Sequence, residues 1–420
     1  MGSLLSDRST RPLFLVSILA RLPLAMFSIA LLVHAERLSS SFAVAGLVAG
    51  AYAISLGVGG PLLGRLVDRR GQRLVLVSSA GVAGVLLGLI AAMPVGTSPL
   101  TLVVLAAGIG FATPPVGACL RALLPSILSD VGAVRASYAL EAAAVELTWV
   151  AGPSLALVLG AVWSTGAALA LGGAVLLAAT AGFAWHPASR GWQPLTPGAS
   201  RRPGSLRSSA MRTLVFVLVA VGVLFGAVEV AIAAAAATNS GSTAAAAPLL
   251  ALWGAGSLAG GLCAARLGGG PASASGLALV LGALAAGHLA LIAVARNSLA
   301  LGALLFVAGA AIAPAYAAVY AMVDRAAPIG TVTEAFAWLA TAIGLGAAAG
   351  ASGAGGLVDL AGPTAAFALA GAAGFAAVIG VATRVGTLTG DMSAGSPVSE
   401  PPDGHRSTLV GKTATDRTIP

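Results

Sequence analysis

Apolar residues in this chain come in long runs, and polar residues are confined to the short stretches between them. Runs of about 20 residues or more cover 12–35, 42–63, 74–94, 99–123, 137–161 and 164–185. After a longer polar break they resume at 212–237, 246–267, 274–295, 298–323, 333–357 and 363–383. A helix of roughly 20 apolar residues crosses a bilayer core. Backbone groups facing lipid must be paired within their own segment, so each run is predicted to be a helix. The pattern therefore predicts an all-α integral membrane protein with twelve transmembrane helices. The first run begins near Leu13 and is longer than a signal-peptide core, so it is expected to remain as an uncleaved first helix.

The breaks carry the topology. One set of alternating breaks and ends holds most of the arginines, among them Arg8, Arg11, Arg65, Arg69, Arg70, Arg73, Arg121, Arg135, Arg190, Arg266 and Arg325. The other set holds only Arg37 and Arg296. Basic loops stay in the cytoplasm, so both termini are expected there, in a multi-pass protein of the inner (plasma) membrane. The longest break, 186–211, contains Pro187, Pro194, Pro197 and Pro203 and reads as a flexible cytoplasmic linker. It separates a six-helix bundle over 1–185 from a second over 212–385. The polar tail 386–420 is expected to be disordered.

Composition narrows the function classes. Of 420 residues, 58% are hydrophobic and 9% charged, far from the roughly 25% charge of soluble domains. No stretch is long enough for a soluble catalytic domain. The net charge of +8 lies in loops and reads as a topology signal rather than a nucleic-acid surface. Cys119 and Cys263 form neither a disulfide framework nor a metal spacing. No phosphate loop, nucleophile motif or dinucleotide fingerprint is present, so neither an enzyme nor a cofactor is expected.

Between the second and third runs stands Gly64-Arg65-Leu66-Val67-Asp68-Arg69-Arg70-Gly71-Gln72-Arg73. This resembles the signature of the major facilitator superfamily, Gly-x-Leu-x-Asp-Arg-x-Gly-Arg-basic, at the position where that family carries it. Gly64, Leu66, Asp68, Arg69, Gly71 and Arg73 match; Gln72 replaces a basic residue. The resemblance in hydropathy covers about 12–383. It implies two pseudo-symmetric six-helix halves around a central cavity, usually in a monomer, and a loop that latches the halves on the cytoplasmic side. Asp68 is suited to accept hydrogen bonds from a helix N-terminus, and Thr331, Thr333 and Glu334 open the eleventh run nearby. The second-half counterpart, around Gly260–Arg266, has no Asp. Gly152-Pro153 in the fifth run is a shortened form of a pattern in the family's drug/proton antiporters. The arginine that the family often carries ahead of the fourth-run glycines, Gly108 and Gly110, is absent.

Ionisable groups inside a membrane are expensive and mark functional candidates. Arg21 and Glu146 lie at similar expected depths in the first and fifth runs, which the resemblance implies are neighbours, and are expected to pair. Glu141 lies nearer the cytoplasm, where its side chain can snorkel to the surface. Glu229, in the seventh run, has no cation at its depth in the second half. A carboxylate without a cation in low dielectric can bind and release a proton, so Glu229 is a proton-coupling candidate, with a packing hydrogen bond as the alternative. Tyr316 and Tyr320, four residues apart, and Trp338 and Thr341 are candidates for a cavity that takes an amphipathic ligand. His34 and His288 are read as peripheral. Together these readings predict a secondary active transporter exporting a hydrophobic or amphipathic small molecule against protons, by resemblance to bacterial drug and metabolite efflux proteins. Uptake of a small metabolite is the alternative within transport, and a non-transporting membrane sensor or assembly protein the alternative outside it.

Overall fold

The computed structural model describes residues 10–128, 130–193, 204–242 and 245–390. Among them every regular element is helical. Twelve helices are long and apolar enough to span a membrane: α1 (Thr10–Ser39), α2 (Phe42–Arg70), α3 (Gln72–Ala91), α4 (Pro99–Ile127), α5 (Val131–Val162), α6 (Thr165–Trp185), α7 (Ser209–Ser240), α8 (Ala246–Arg266), α9 (Ala274–Val294), α10 (Ser298–Ala326), α11 (Val332–Ala361) and α12 (Pro363–Ala382). The twelve predicted runs are all present.

Local chemistry sets their ends. Ser41, Ser98, Ser164, Ser208 and Ser273 cap α2, α4, α6, α7 and α9 by accepting a first-turn N–H, and Asn297 does the same for α10. Pro114 and Pro115 have no N–H to donate, and α4 breaks there into Pro99–Ala112 and Val116–Ile127. Within the expected linker, Pro187–Arg190 is a short helix and Ser205–Arg207 a 3-10 turn, and 194–203 lies outside the described residues. Of the tail expected to be disordered, Val385–Gly390 is helical and 391–420 lies outside the described residues.

The packing repeats. In the first half α1 packs on α5 and α6, α2 on α4, and α3 on α6. In the second half α7 packs on α11 and α12, α8 on α10, and α9 on α12. The halves meet along two seams, α2 against α11 and α5 against α8 and α10. Small residues make the closest crossings possible, since backbones in lipid approach only where side chains allow. A Cβ at Gly346 or Gly350 of α11 would run into the carbonyl of Val219 or Val223 of α7.

Two expected boundaries move. The signature stretch is barely a loop: α2 continues through Arg70, and Gly71, at φ 88°, is the whole connection to α3. That left-handed backbone favours glycine. The fifth helix starts at Val131, six residues before the expected 137. We call the side of the bundle that bears Gly71 the basic face.

Candidate functional site

The first constellation sits in the α2–α11 seam at the basic face. Asp68 is buried two residues before the end of α2. Its Oδ1 accepts the Thr333 N–H (3.1 Å) and its Oδ2 the Glu334 N–H (2.9 Å). Both are first-turn amides of α11, whose own N-cap residue, Thr331, makes no side-chain cap bond. A carboxylate of one half therefore caps a helix of the other, where the helix dipole favours an anion. The second seam differs, because α5 is capped within its own half by Asp130 (2.7 Å to the Ala133 N–H). Gly64 lets α2 approach: a Cβ there would lie 3.0 Å from the Thr333 carbonyl oxygen and 3.1 Å from Glu334 Cα.

The rest of the signature divides between inside and outside. Gln72 is buried; it donates to the Cys119 carbonyl (3.2 Å) and accepts from the Ser189 hydroxyl (2.9 Å). A neutral core amide thus stands where the signature has a charge. Arg69 and Arg73 are exposed, with the Arg73 guanidinium 5.9 Å above the Trp185 ring. Glu334 accepts from the Ser205 N–H (3.2 Å) and hydroxyl (3.3 Å), and its Oε2 lies 3.9 Å from Arg65 Nε. Farther along the seam, the Thr341 hydroxyl donates across the halves to the Gly57 carbonyl (2.7 Å). The cross-seam bonds of α2 and α11 thus run from mid-helix to the basic face.

The intramembrane ion pair is corrected. Arg21 pairs with Glu141, not Glu146, and Arg121 Nη1 reaches the same Glu141 oxygen at 2.9 Å. The early start of α5 explains the change. Glu141 is ten residues in, about 15 Å deep, which matches Arg21 eleven residues into α1. Glu141 is fully buried and does not snorkel. Arg121, counted with the loops, is buried in α4 and lies 4.6 Å from the Tyr320 ring centre and 5.3 Å from that of Phe336. Two permanently charged guanidinium groups share one carboxylate, so the cluster carries a net positive charge. Arg21 Nη2 and Arg121 Nε are buried without hydrogen-bond partners.

Around Arg121 the aromatics form a row. Tyr138 of α5 packs on Tyr320 and Phe336, at 6.1 and 6.0 Å between ring centres. Tyr320 meets Tyr316 at 5.8 Å, Tyr316 meets Phe225 at 5.9 Å, and Phe225 meets Trp253 at 5.5 Å. The Tyr138 hydroxyl donates across the halves to Asp324 (2.9 Å). Tyr316 and Tyr320 are thus packed together, Thr341 lies in the seam, and Trp338 is half-buried on α11 while Phe336 joins the row. The histidines are core residues rather than peripheral. His288 Nε2 accepts the Trp253 indole N–H (2.9 Å) while Nδ1–H donates to the Leu284 carbonyl (2.7 Å). His34 contacts the Thr165 hydroxyl (2.8 Å) and the Ile90 carbonyl (3.0 Å).

Glu146 and Glu229 form the last constellation. Glu229 is exposed, twenty residues into α7, and Glu146 is half-buried, fifteen residues into α5. The two carboxylates are within electrostatic reach of each other, and Ser257 of α8 borders Glu146. Neither forms an ion pair among the described residues, and no group of three or more metal-ligating side chains occurs among them. Sequence reading missed Arg121, Tyr138, Asp324 and Phe336. The depth of Arg121, six residues before the end of α4, was the one available signal.

The profile of the Major Facilitator Superfamily matches residues 13–271. The search among curated proteins returned no match. Among solved structures, the chain is similar to the human organic anion transporter MFSD10 (TETRAN), with 18% identity, a TM-score of 0.68, and coverage of 89% of this chain and 99% of that one. It is also similar to a bacterial homologue of the iron transporter ferroportin in an outward-facing state with soaked iron, with 12% identity, a TM-score of 0.69, and coverage of 89% and 98%. At these identities the likeness is one of fold.

Proposed function

The chain belongs to the Major Facilitator Superfamily, and from that membership and the seam geometry we propose a secondary active transporter that exports a hydrophobic or amphipathic small molecule in exchange for protons. The observation that carries this reading is the Asp68 bridge. It holds the halves together at the basic face by hydrogen bonds to the end of α11, so the halves can part there without breaking either half's core. In this reading the basic face is cytoplasmic, and Gly64, Asp68, Arg69, Gly71 and Arg73 form the latch. Parting at this seam and closing at the opposite face is alternating access.

Glu229 carries the proton, with Glu146 as its electrostatic neighbour. Two carboxylates that interact hold a proton more readily than one alone. An exporter uses this by taking up a proton from outside and releasing it inside as the substrate leaves. The aromatic row of Phe225, Tyr316, Tyr320 and Phe336 supports a substrate with a large apolar body. The surplus positive charge of Arg21, Arg121 and Glu141 supports a second reading, in which the exported amphipath bears an anionic head.

The test uses purified protein in liposomes with an imposed inward proton gradient and a panel of lipophilic cations, lipophilic anions and antibiotics. Substrate movement coupled to proton flux in the wild type, lost in Glu229→Gln, is expected. Coupled flux that survives in Glu229→Gln refutes the proton assignment. Transport down a substrate gradient with no proton flux refutes the antiport.

A further inference from the structure

Where the basic ends of α2 and α3 meet the end of α6, a cavity of about 580 Å³ opens. Arg70, Arg73 and Arg190 line it together with Trp185 and Trp192. All three arginines are exposed, and among the described residues none forms an ion pair and no carboxylate lines the cavity. Three guanidinium groups in one cavity repel one another unless an anion joins them. Guanidinium forks match phosphate oxygens in pairs, which makes a phosphate group the natural occupant.

The surroundings favour a phosphate that is attached to lipid. The cavity lies at the ends of membrane helices, where tryptophan rings collect at the water–lipid boundary. Trp185 is half exposed and stacked under Arg73. Below the arginines the lining turns apolar with Leu74, 63% exposed, and Val77. The Trp192 indole N–H is buried with no hydrogen-bond partner. Charge above and exposed apolar side chains below is the polarity of a phospholipid, and a free phosphate would make no use of the lower half. Basic pockets between membrane helices bind anionic headgroups through this arrangement.

We propose that this cavity is a binding site for one anionic phospholipid, with its phosphate among Arg70, Arg73 and Arg190 and its chains along Leu74 and Val77. The bound headgroup would sit against Gly71 and Gln72, next to the Asp68 end of α2, so lipid occupancy stiffens the part of α2 that meets α11.

The test is native mass spectrometry of the delipidated full chain titrated with phosphatidylglycerol, phosphatidylcholine or inorganic phosphate. One tightly retained phosphatidylglycerol is expected, with phosphatidylcholine weaker. In R70Q/R73Q/R190Q that retention should fall about 100-fold. R266Q/R384Q, which removes two exposed arginines of the same face outside the cavity, should retain the lipid. Equal retention of the two lipids, or equal loss in both variants, would overturn the site. Displacement of the lipid by equimolar phosphate would make it a small-anion site and overturn the lipid assignment. A photo-crosslinkable phosphatidylglycerol tests the unaltered chain, so misfolding of the triple variant does not blunt the test. Labelling in the 70–78 or 185–192 segment supports the proposal, and labelling only elsewhere refutes it.

Discussion

Replacing Asp68 by Asn tests the seam most directly. The side chain keeps its size and one acceptor oxygen but loses its charge and one of two acceptors. Both bonds, at 3.1 and 2.9 Å, join a carboxylate to helix N-terminal amides in a buried place. A hydrogen bond to a charged group is worth about 1.5–3 kcal/mol, and an anion at a helix N-terminus about 0.3–1 kcal/mol. The loss should therefore reach about 2–3 kcal/mol, all of it from contacts that exist only while the halves are joined at the basic face. At 1.4 kcal/mol per factor of ten, the ratio of joined to parted molecules should fall roughly 30- to 140-fold. Spin labels at Leu74→Cys and Thr383→Cys, in a background with Cys119→Ala and Cys263→Ala, report the separation of the halves by pulsed electron resonance in nanodiscs. Wild type should show one dominant short distance, and Asp68→Asn a large new population at longer distance. An unchanged distance distribution in a folded variant would refute the reasoning, because the bridge would then contribute nothing to the joined state.

Other variants probe the interior. Glu141→Gln leaves Arg21 and Arg121 buried with no counter-charge, which should cost about 3–5 kcal/mol; thermal unfolding in detergent should show a large loss, while Glu146→Gln melts like the wild type. His288→Leu strands the Trp253 indole N–H, for about 1–3 kcal/mol, and should lower the melting temperature without moving the label distances above. Gly350→Leu drives a side chain into the Val223 carbonyl, and size-exclusion chromatography should show little monodisperse protein. Tyr138→Phe removes the bond to Asp324 across the second seam and should add a modest longer-distance population in the same spin-label measurement, smaller than that of Asp68→Asn.

The helices were legible because lipid imposes a length and forbids polar interruption, a constraint written residue by residue. The place of Asp68 was legible too, through the signature around it, whose resemblance to the family implied a latch beside the start of the eleventh run, where a helix N-terminus favours an anion. The pairing of Arg21 was not. It depended on the start of α5, where Arg135 made 131–136 resemble a loop, and a six-residue error there exchanges Glu141 for Glu146. Arg121 was misplaced because a charge near the end of an apolar run looks like a topology signal until its neighbours are known. The aromatic row was invisible for another reason: Tyr138, Phe225, Tyr320 and Phe336 lie far apart in the chain, and only the meeting of the halves brings them together.

Because α11 borrows its cap from α2, the first turn of α11 is complete only while the two halves touch. In the proposed cycle, each opening of the seam takes the acceptor from the amides of Thr333 and Glu334, whereas the start of α5, held by Asp130, does not change. Deuterium uptake at those two amides therefore counts openings of one seam in an unlabelled, unmutated protein, with the start of α5 as the internal standard.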